Sequence, residues 1–197
     1  MTNAIRWGER IFLIPLALLV IWRTAPQLAQ HPHLTLFLIS EIVGVVLLLL
    51  QRRGNWSADF FPVAIAFVGT GVGLLVAPVG VQLVPEAVSL VLVVAGGTMA
   101  LAAKLFLGRS FGLVPANRGV KHAGVYRWVR HPMYAGYMLN QLGFLLVFFS
   151  PGNVMIYAAA WTAFWLRAAE EEKFLCRDPE YARYAEKVRY RLLPGIA

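Results

Sequence analysis

The stretch PMYAGYMLNQLGFLLVFFSPGNVMIYAAAWTAFWL, from Pro132 to Leu166, carries no charged residue in 35 positions. Ser150-Pro151-Gly152-Asn153 in its middle is a run of turn formers, so the stretch reads as two helices back to back. Its legs, Pro132 to Phe149 and Val154 to Leu166, hold 18 and 13 residues. At 1.5 Å per residue they reach about 27 and 20 Å, against a hydrocarbon core of about 30 Å. The hairpin is therefore expected to enter a bilayer and stop short of its far face.

Working outward, charge-free windows recur at Ile11 to Trp22, Leu34 to Leu50 with Glu41 inside, Phe60 to Val84 and Ala87 to Ala103. With 59% apolar and 14% charged residues and a mean hydropathy of +0.64, the 197-residue chain departs from soluble domains, which average roughly 45 to 50% and 25%. The expectation is an all-α polytopic membrane helix bundle of about six segments, the last two a short helical hairpin, with a cytoplasmic C-terminal helical cap. Residues 1–107 hold four N-terminal helices, and residues 108–197 hold the loop, hairpin and amphipathic tail where chemistry is expected.

Net charge +8 would suggest nucleic acid in a soluble chain, but basic loops on one side of a membrane account for it, and nucleic acid is set aside. With both termini cytoplasmic, 17 of the 18 Lys and Arg fall on that side and Arg23 alone on the other. This places the chain as a multi-pass protein of the cell inner membrane in a prokaryote or the endoplasmic reticulum in a eukaryote. No small-residue cleavage pattern follows Ile11 to Trp22, so this segment does not read as a signal peptide. Cys176 has no disulfide partner in the chain, and no Cys/His cluster has metal-ligand spacing, so no metal is expected.

The loop before the hairpin runs Gly124-Val125-Tyr126-Arg127-Trp128-Val129-Arg130-His131-Pro132-Met133-Tyr134-Ala135-Gly136. Pro132 suits a helix first turn, and Arg130 and His131 then flank a helix N-terminus that favours an anion. After the hairpin, Arg167 and Glu171 are four apart on one helix face, within Arg167-Ala168-Ala169-Glu170-Glu171-Glu172. A short hairpin returns these carboxylates to Arg130 and His131 at its cytoplasmic mouth. Pro179 to Tyr184 reads as an amphipathic turn of helix able to lie on headgroups or close over the site.

Four ordered motifs resemble the isoprenylcysteine carboxyl methyltransferase family and, more loosely, phospholipid N-methyltransferases. They are Gly-x-Tyr-x-x-x-Arg-His-Pro-x-Tyr-x-Gly at Gly124 to Gly136, Glu-Glu-x-x-Leu at Glu171 to Leu175, Tyr-x-x-Tyr at Tyr181 to Tyr184, and Leu-Pro-Gly at Leu193 to Gly195. They cover about Leu107 to Gly195, while the first four helices show no family signature.

The resemblance implies a membrane enzyme that takes S-adenosylmethionine at the hairpin mouth and a lipophilic acceptor from the bilayer, surrounded by membrane lipids. It implies Tyr126, Arg130, His131, Pro132, Tyr134, Gly136, Glu171 and Glu172 as cofactor-binding residues. Arg167 and Glu171 would be catalytic, with Arg167 orienting a carboxylate acceptor. Asn140 and Gln141, in the first hairpin leg, either join Arg167 along the substrate or tie helices together. Chemically, Arg130 and His131 suit the cofactor carboxylate, Glu171 or Glu172 its ammonium or ribose diol, and the tyrosines its base. An isoprenylcysteine carboxylate fits best as acceptor. A phospholipid amine is one alternative, and an NADPH-dependent sterol-type reductase, which shares an Arg-His-Pro-x-Tyr segment, is another; the reductases usually have Asn where Met133 stands.

Gly69-Thr70-Gly71-Val72-Gly73 imitates a cofactor loop, but inside a charge-free membrane segment it reads as a helix-packing surface. Glu41, mid-segment, needs a partner or a cavity, and Asn140 or Gln141 is the expected partner, with a substrate role the other reading. Tyr181 and Tyr184 are expected as interfacial anchors, and Trp161 and Trp165 as packing or belt residues.

Overall fold

In a computed structural model, residues 3–29, 34–57, 59–193 and 195 are described; Pro194 of the closing Leu-Pro-Gly lies outside them. The described chain is built of α-helices with one small two-stranded sheet. The helices are α1 (Asn3–Thr24), α2 (Leu34–Leu49), α3 (Phe60–Val72), α4 (Glu86–Leu107), α5 (Pro132–Val147), α6 (Pro151–Leu175) and α7 (Pro179–Lys187). Strand β1 (Asn55–Trp56) pairs antiparallel with β2 (Ala116–Asn117). One helical segment, Glu86–Ser110, is long and apolar enough to cross a membrane by length and composition; α2 and α3 are shorter apolar helices.

Three expected segments differ in length, the first being α1, which runs from Asn3 to Thr24 and not only from Ile11 to Trp22. The window Phe60 to Val84 is not one helix: α3 ends at Val72, a single 3-10 turn covers Gly73–Leu75, and an irregular stretch leads to Pro85. Gly69, Gly71 and Gly73 weaken the helix and Pro78 cannot continue it. The irregular backbone is paired: Asn153 donates to the carbonyls of Ala77 and Val79 and accepts from the Ala77 N–H, while Val81 bridges to Phe149. Such pairing is what non-helical backbone needs away from water.

The second hairpin leg does not end at Leu166. Ser150 caps α6 by accepting from the Asn153 N–H at 3.2 Å, Pro151 takes the first turn, and the helix runs 25 residues to Leu175. Ala, Glu and Lys after Leu166 are strong helix formers, and charge ends the apolar run without ending the helix. The acidic cluster is thus carried on a rigid extension of the hairpin.

The hairpin legs barely touch one another; α5 lies chiefly on α4 and α6 on α3. Small residues set both contacts. A Cβ on Gly136 would sit 2.7 Å from the Ala100 N and Gly96 O, and one on Gly96 would sit 2.5 Å from the Gly136 O. On α3, a Cβ on Gly69 would lie 3.1 Å from Ala163 Cβ and 3.2 Å from Arg167 Cδ, so Gly69 serves packing, whereas one on Gly71 would meet nothing within 4 Å. The splayed legs leave room for a cavity between them.

The loops after α2 and α4 gather with the start of α1. Arg52 N donates to Arg109 O, Ser57 N to Pro115 O, and Arg10 to Leu49 O, which ties the loop after α2, the loop after α4 and the first turns of α1 together. Lys104 does not join them as a loop residue. It is buried, and its Nζ donates to Ser40 O and Oγ and pairs with Glu41 at 3.2 Å. That pair replaces the expected partners of Glu41: Asn140 donates to Val93 O, and Gln141 accepts from the Trp161 indole. The gain is electrostatic, because only a cation neutralises a carboxylate at that depth, whereas an amide merely hydrogen-bonds to it.

Candidate active site

His131 precedes the first turn of α5, and Pro132 begins the helix. The tail runs back across this point, with Arg130 N donating to Tyr190 O and His131 N to Arg191 O, both at 2.9 Å. Opposite stands the extension of α6. Glu172, buried on it, accepts from Arg130 Nε at 2.7 Å, His131 Nε2 at 3.0 Å and Arg191 Nε at 3.0 Å. Burial pushes the Glu172 carboxyl up, but the hydrogen bonds from His131 and Arg130, the nearby His131 and the bond from Arg191 outweigh it and hold it at about 2. Arg130 Nη2 also donates to Glu172 Oε2 at 3.3 Å, and Nη1 reaches the carbonyls of Ala185, Val188 and Arg189. Arg130 and Glu172 therefore lock the tail to the hairpin mouth.

Glu171 turns the other way, into a cavity of about 1180 Å³ that runs from this mouth into the helix bundle. Its Oε2 accepts from the Tyr134 hydroxyl at 3.2 Å and lies 3.8 Å from His131 Nδ1. One turn earlier, Arg167 is buried at the cavity wall and donates to Thr70 Oγ1 at 3.0 Å and Leu113 O at 3.2 Å. Its guanidinium lies 5.1 Å over the Tyr134 ring, which itself stacks between His131 and Phe164 at 5.6 and 5.5 Å. One aromatic stack thus orders an imidazole, a phenol and a guanidinium along one wall.

Of the residues expected at the site, Tyr126, Arg130, His131, Tyr134, Asn140, Gln141, Arg167 and Glu171 line the cavity. Glu172, Pro132 and Gly136 do not: Glu172 sits behind the mouth among Arg130, His131 and Arg191, Pro132 is fully buried, and Gly136 is spent on the close approach of α5 to α4. Tyr181 and Tyr184, expected at an interface, are buried against Ala103 and Tyr126, and Tyr184 donates to Tyr126 O at 2.8 Å. Helix α7 is held there by Asp178, which caps it and accepts from Asn117 at 2.6 Å. That bond and the Glu180 N–H hold the Asp178 carboxyl below its ordinary value. Trp161 combines packing with its bond to Gln141, and Trp165 carries Arg191 over its ring at 5.2 Å.

Sequence reasoning missed Glu9, Thr70, Lys104 and Arg118. Glu9 lies between Arg6 and Arg10 on α1, so nearby cations in the sequence hid its distant partners. Thr70 was hidden in a glycine run whose packing role was sufficient explanation.

Residues 87–177 match the isoprenylcysteine carboxyl methyltransferase (ICMT) family. The match begins at the first turn of α4, ahead of the motifs that start at Gly124. Protein-S-isoprenylcysteine O-methyltransferase A of Arabidopsis thaliana is 33% identical over 107 residues, covering 50% of this chain and 54% of that protein. Protein-S-isoprenylcysteine O-methyltransferase of Mus musculus is 32% identical over 111 residues, 52% of this chain and 39% of its own length. The protein of that name from Saccharomyces cerevisiae is 37% identical over 68 residues, 33% of this chain and 28% of its own. The chain spans about half the length, or less, of these curated relatives. From the first turn of α4 to just beyond α6, the chain is thus similar to the isoprenylcysteine carboxyl methyltransferase family.

Proposed function

We propose that the chain is an integral membrane methyltransferase that uses S-adenosylmethionine to methylate a carboxylate on a lipophilic, bilayer-borne acceptor of the isoprenylcysteine class. The observation that carries this reading is Arg167, a guanidinium buried where the polar mouth meets the apolar part of the cavity. A fixed cation there attracts and orients a carboxylate but repels a protonated amine, which favours O-methylation over a phospholipid amine acceptor.

The mouth suits the cofactor. Its amino-acid end is zwitterionic, and Glu171 shares the cavity wall with Arg118, Lys121 and His131, so both charges find partners. Tyr126, Tyr181 and Tyr184 give an aromatic wall for its base. When bound, S-adenosylmethionine offers a methyl group on a sulfonium sulfur. The protein's own share is positional: Arg167 holds the acceptor oxygen in line, Tyr134 fixes Glu171, and α7 shields the mouth from water. A carboxylate acceptor is already ionised, so no side chain has to remove a proton.

The membrane reading is supported by the inverted surface. Phe60, Trp22 and Val91 are 86%, 74% and 67% exposed, while Glu9, Lys104 and Arg167 are buried. Apolar cover of this extent over charged interior groups suits lipid contact. The charge pattern continues to favour cytoplasmic placement of the loop end and both termini.

The test is titration of purified protein in detergent with S-adenosylmethionine and with NADPH, followed by methyl transfer to an S-prenylated N-acylcysteine and to a phospholipid amine. Saturable binding of S-adenosylmethionine and transfer to the cysteine carboxylate are expected. Saturable binding of NADPH alone would overturn the reading, and transfer only to the amine would overturn its acceptor.

A further inference from the structure

Both contacts that fix the Arg167 guanidinium lead into the part of the chain before the family match. The first is direct. Thr70 Oγ1 on α3 accepts from Arg167 Nη1 at 3.0 Å while its own hydroxyl donates to Ala66 O at 2.8 Å. With that proton committed to the helix backbone, the lone pairs are left for the guanidinium, so the hydroxyl has one orientation. Neighbouring Gly69 makes room for the arginine stem, since a Cβ there would lie 3.2 Å from Arg167 Cδ.

The second contact passes through one peptide unit. Leu113 O accepts from Arg167 Nη2 at 3.2 Å, and the N–H on the other side of that same peptide, Val114 N, donates to Glu9 Oε1 at 2.7 Å. A trans peptide directs its N–H and C=O to opposite sides, so anchoring one aims the other. Glu9 Oε1 also accepts from Leu113 N at 2.9 Å, and Oε2 accepts from Gln51 at 3.0 Å. Glu9 is 0% exposed, and Arg118 lies 3.7 Å away as counter-charge. A carboxylate bound to the N–H also polarises the amide and makes its carbonyl a stronger acceptor.

We propose that Glu9 and Thr70 are positioning residues for Arg167, so that α1 and α3 set the geometry of acceptor recognition from outside the family-matched region. The proposal rests on the role given above to Arg167. It explains why a fully buried acid sits in α1 and why a hydroxyl is retained in a glycine-rich packing face. A guanidinium released from either contact would swing within the cavity, and misplacement of an orienting group by about 1 Å costs on the order of a hundredfold in rate.

The experiment uses the full chain in detergent and four variants: Thr70→Val, Thr70→Ser, Glu9→Leu and Glu9→Gln. Turnover is measured with S-adenosylmethionine and an S-prenylated N-acylcysteine, and phenylglyoxal labelling of Arg167 is read by mass spectrometry. Thr70→Val and Glu9→Leu are expected to lower kcat at least tenfold, leave the S-adenosylmethionine Kd within threefold of the parent, and raise labelling of Arg167 above that of Arg130. Thr70→Ser keeps the hydroxyl and Glu9→Gln keeps an accepting oxygen, so both should recover most of the turnover and the protection. Should Glu9→Leu fail to fold, Thr70→Val carries the test, because valine matches threonine in shape and removes only the hydroxyl. Unchanged labelling of Arg167 in Thr70→Val, or unchanged kcat in an active parent background, overturns the positioning role. An inactive parent with the expected labelling changes would overturn the methyltransferase reading and leave the positioning of Arg167 standing.

Discussion

Glu171 and Glu172 are neighbours on α6 and face different worlds: Glu171 turns into the cavity beneath the Tyr134 hydroxyl, and Glu172 turns away into Arg130, His131 and Arg191. Successive side chains on a helix diverge by about 100°, so a Glu-Glu pair at a cavity edge divides one cavity-facing carboxylate from one structural carboxylate. The two substitutions should separate accordingly. Glu171→Gln is expected to leave the melting temperature near the parent value and weaken S-adenosylmethionine binding at least tenfold. Glu172→Ala strands buried cations and is expected to cost about 3 to 5 kcal/mol of stability, with the tail released to protease. Thermal melts and a cofactor titration on both variants decide it; the reverse assignment would show that Glu172 faces the ligand.

Acid should release the same clamp. The Glu172 carboxyl lies at about 2 in the folded chain against an ordinary 4.5. A depressed folded value stabilises above the unfolded value, so this contribution, about 3 kcal/mol, is complete above pH 4.5 and is lost as pH falls toward 2. Denaturant midpoints measured from pH 6 down to pH 2 should therefore fall more steeply for the parent than for Glu172→Gln. Equal slopes would mean that the carboxylate is not held by its cations in solution.

Gly96 and Gly136 permit α4 and α5 to meet backbone to backbone, and α5 carries His131 and Tyr134 at its start. Adding one methyl at either position forces the helices apart or bends them, an overpacking cost of about 1 to 3 kcal/mol. Gly136→Ala and Gly96→Ala should lower the melting temperature and also weaken cofactor binding through displaced α5. Gly152→Ala is the control, because a Cβ there meets nothing within 4 Å. Equal behaviour of all three variants would deny the close approach.

Much of this was legible in the chain because apolar windows and turn formers are local signals. The Ser150 to Asn153 turn, the Pro132 helix start and the return of Glu171 toward His131 could all be read from spacing. The division of labour between Glu171 and Glu172 could not, since it depends on how α6 is rotated about its axis. The early end of α3 was hidden because glycine and proline within an apolar run look alike in a membrane helix and in a paired irregular segment. Glu41 and Lys104 were each visible as a charge among apolar residues, but they are 63 positions apart, and no local pattern pairs them.

That pair gives the last prediction. Lys104 is 2% exposed, and its ammonium has three partners, Ser40 O, Ser40 Oγ and Glu41 Oε1, all on α2. It therefore pins α2 to α4 at the cavity wall, where Tyr137 lies 5.6 Å from the ammonium. Removing one charge leaves the other uncompensated, and Lys104→Met alone is expected to cost about 3 to 5 kcal/mol. Lys104→Met combined with Glu41→Leu removes both charges and replaces them with apolar volume, which should restore most of the loss, with a coupling of about 1 to 3 kcal/mol in the cycle. Melting temperatures of the two single variants and the double give the coupling directly. Methyl transfer by the double variant gives the rest of the answer: parent-like turnover makes the pair a structural pin, whereas a stable but inactive double variant would move Lys104 and Glu41 into the acceptor site.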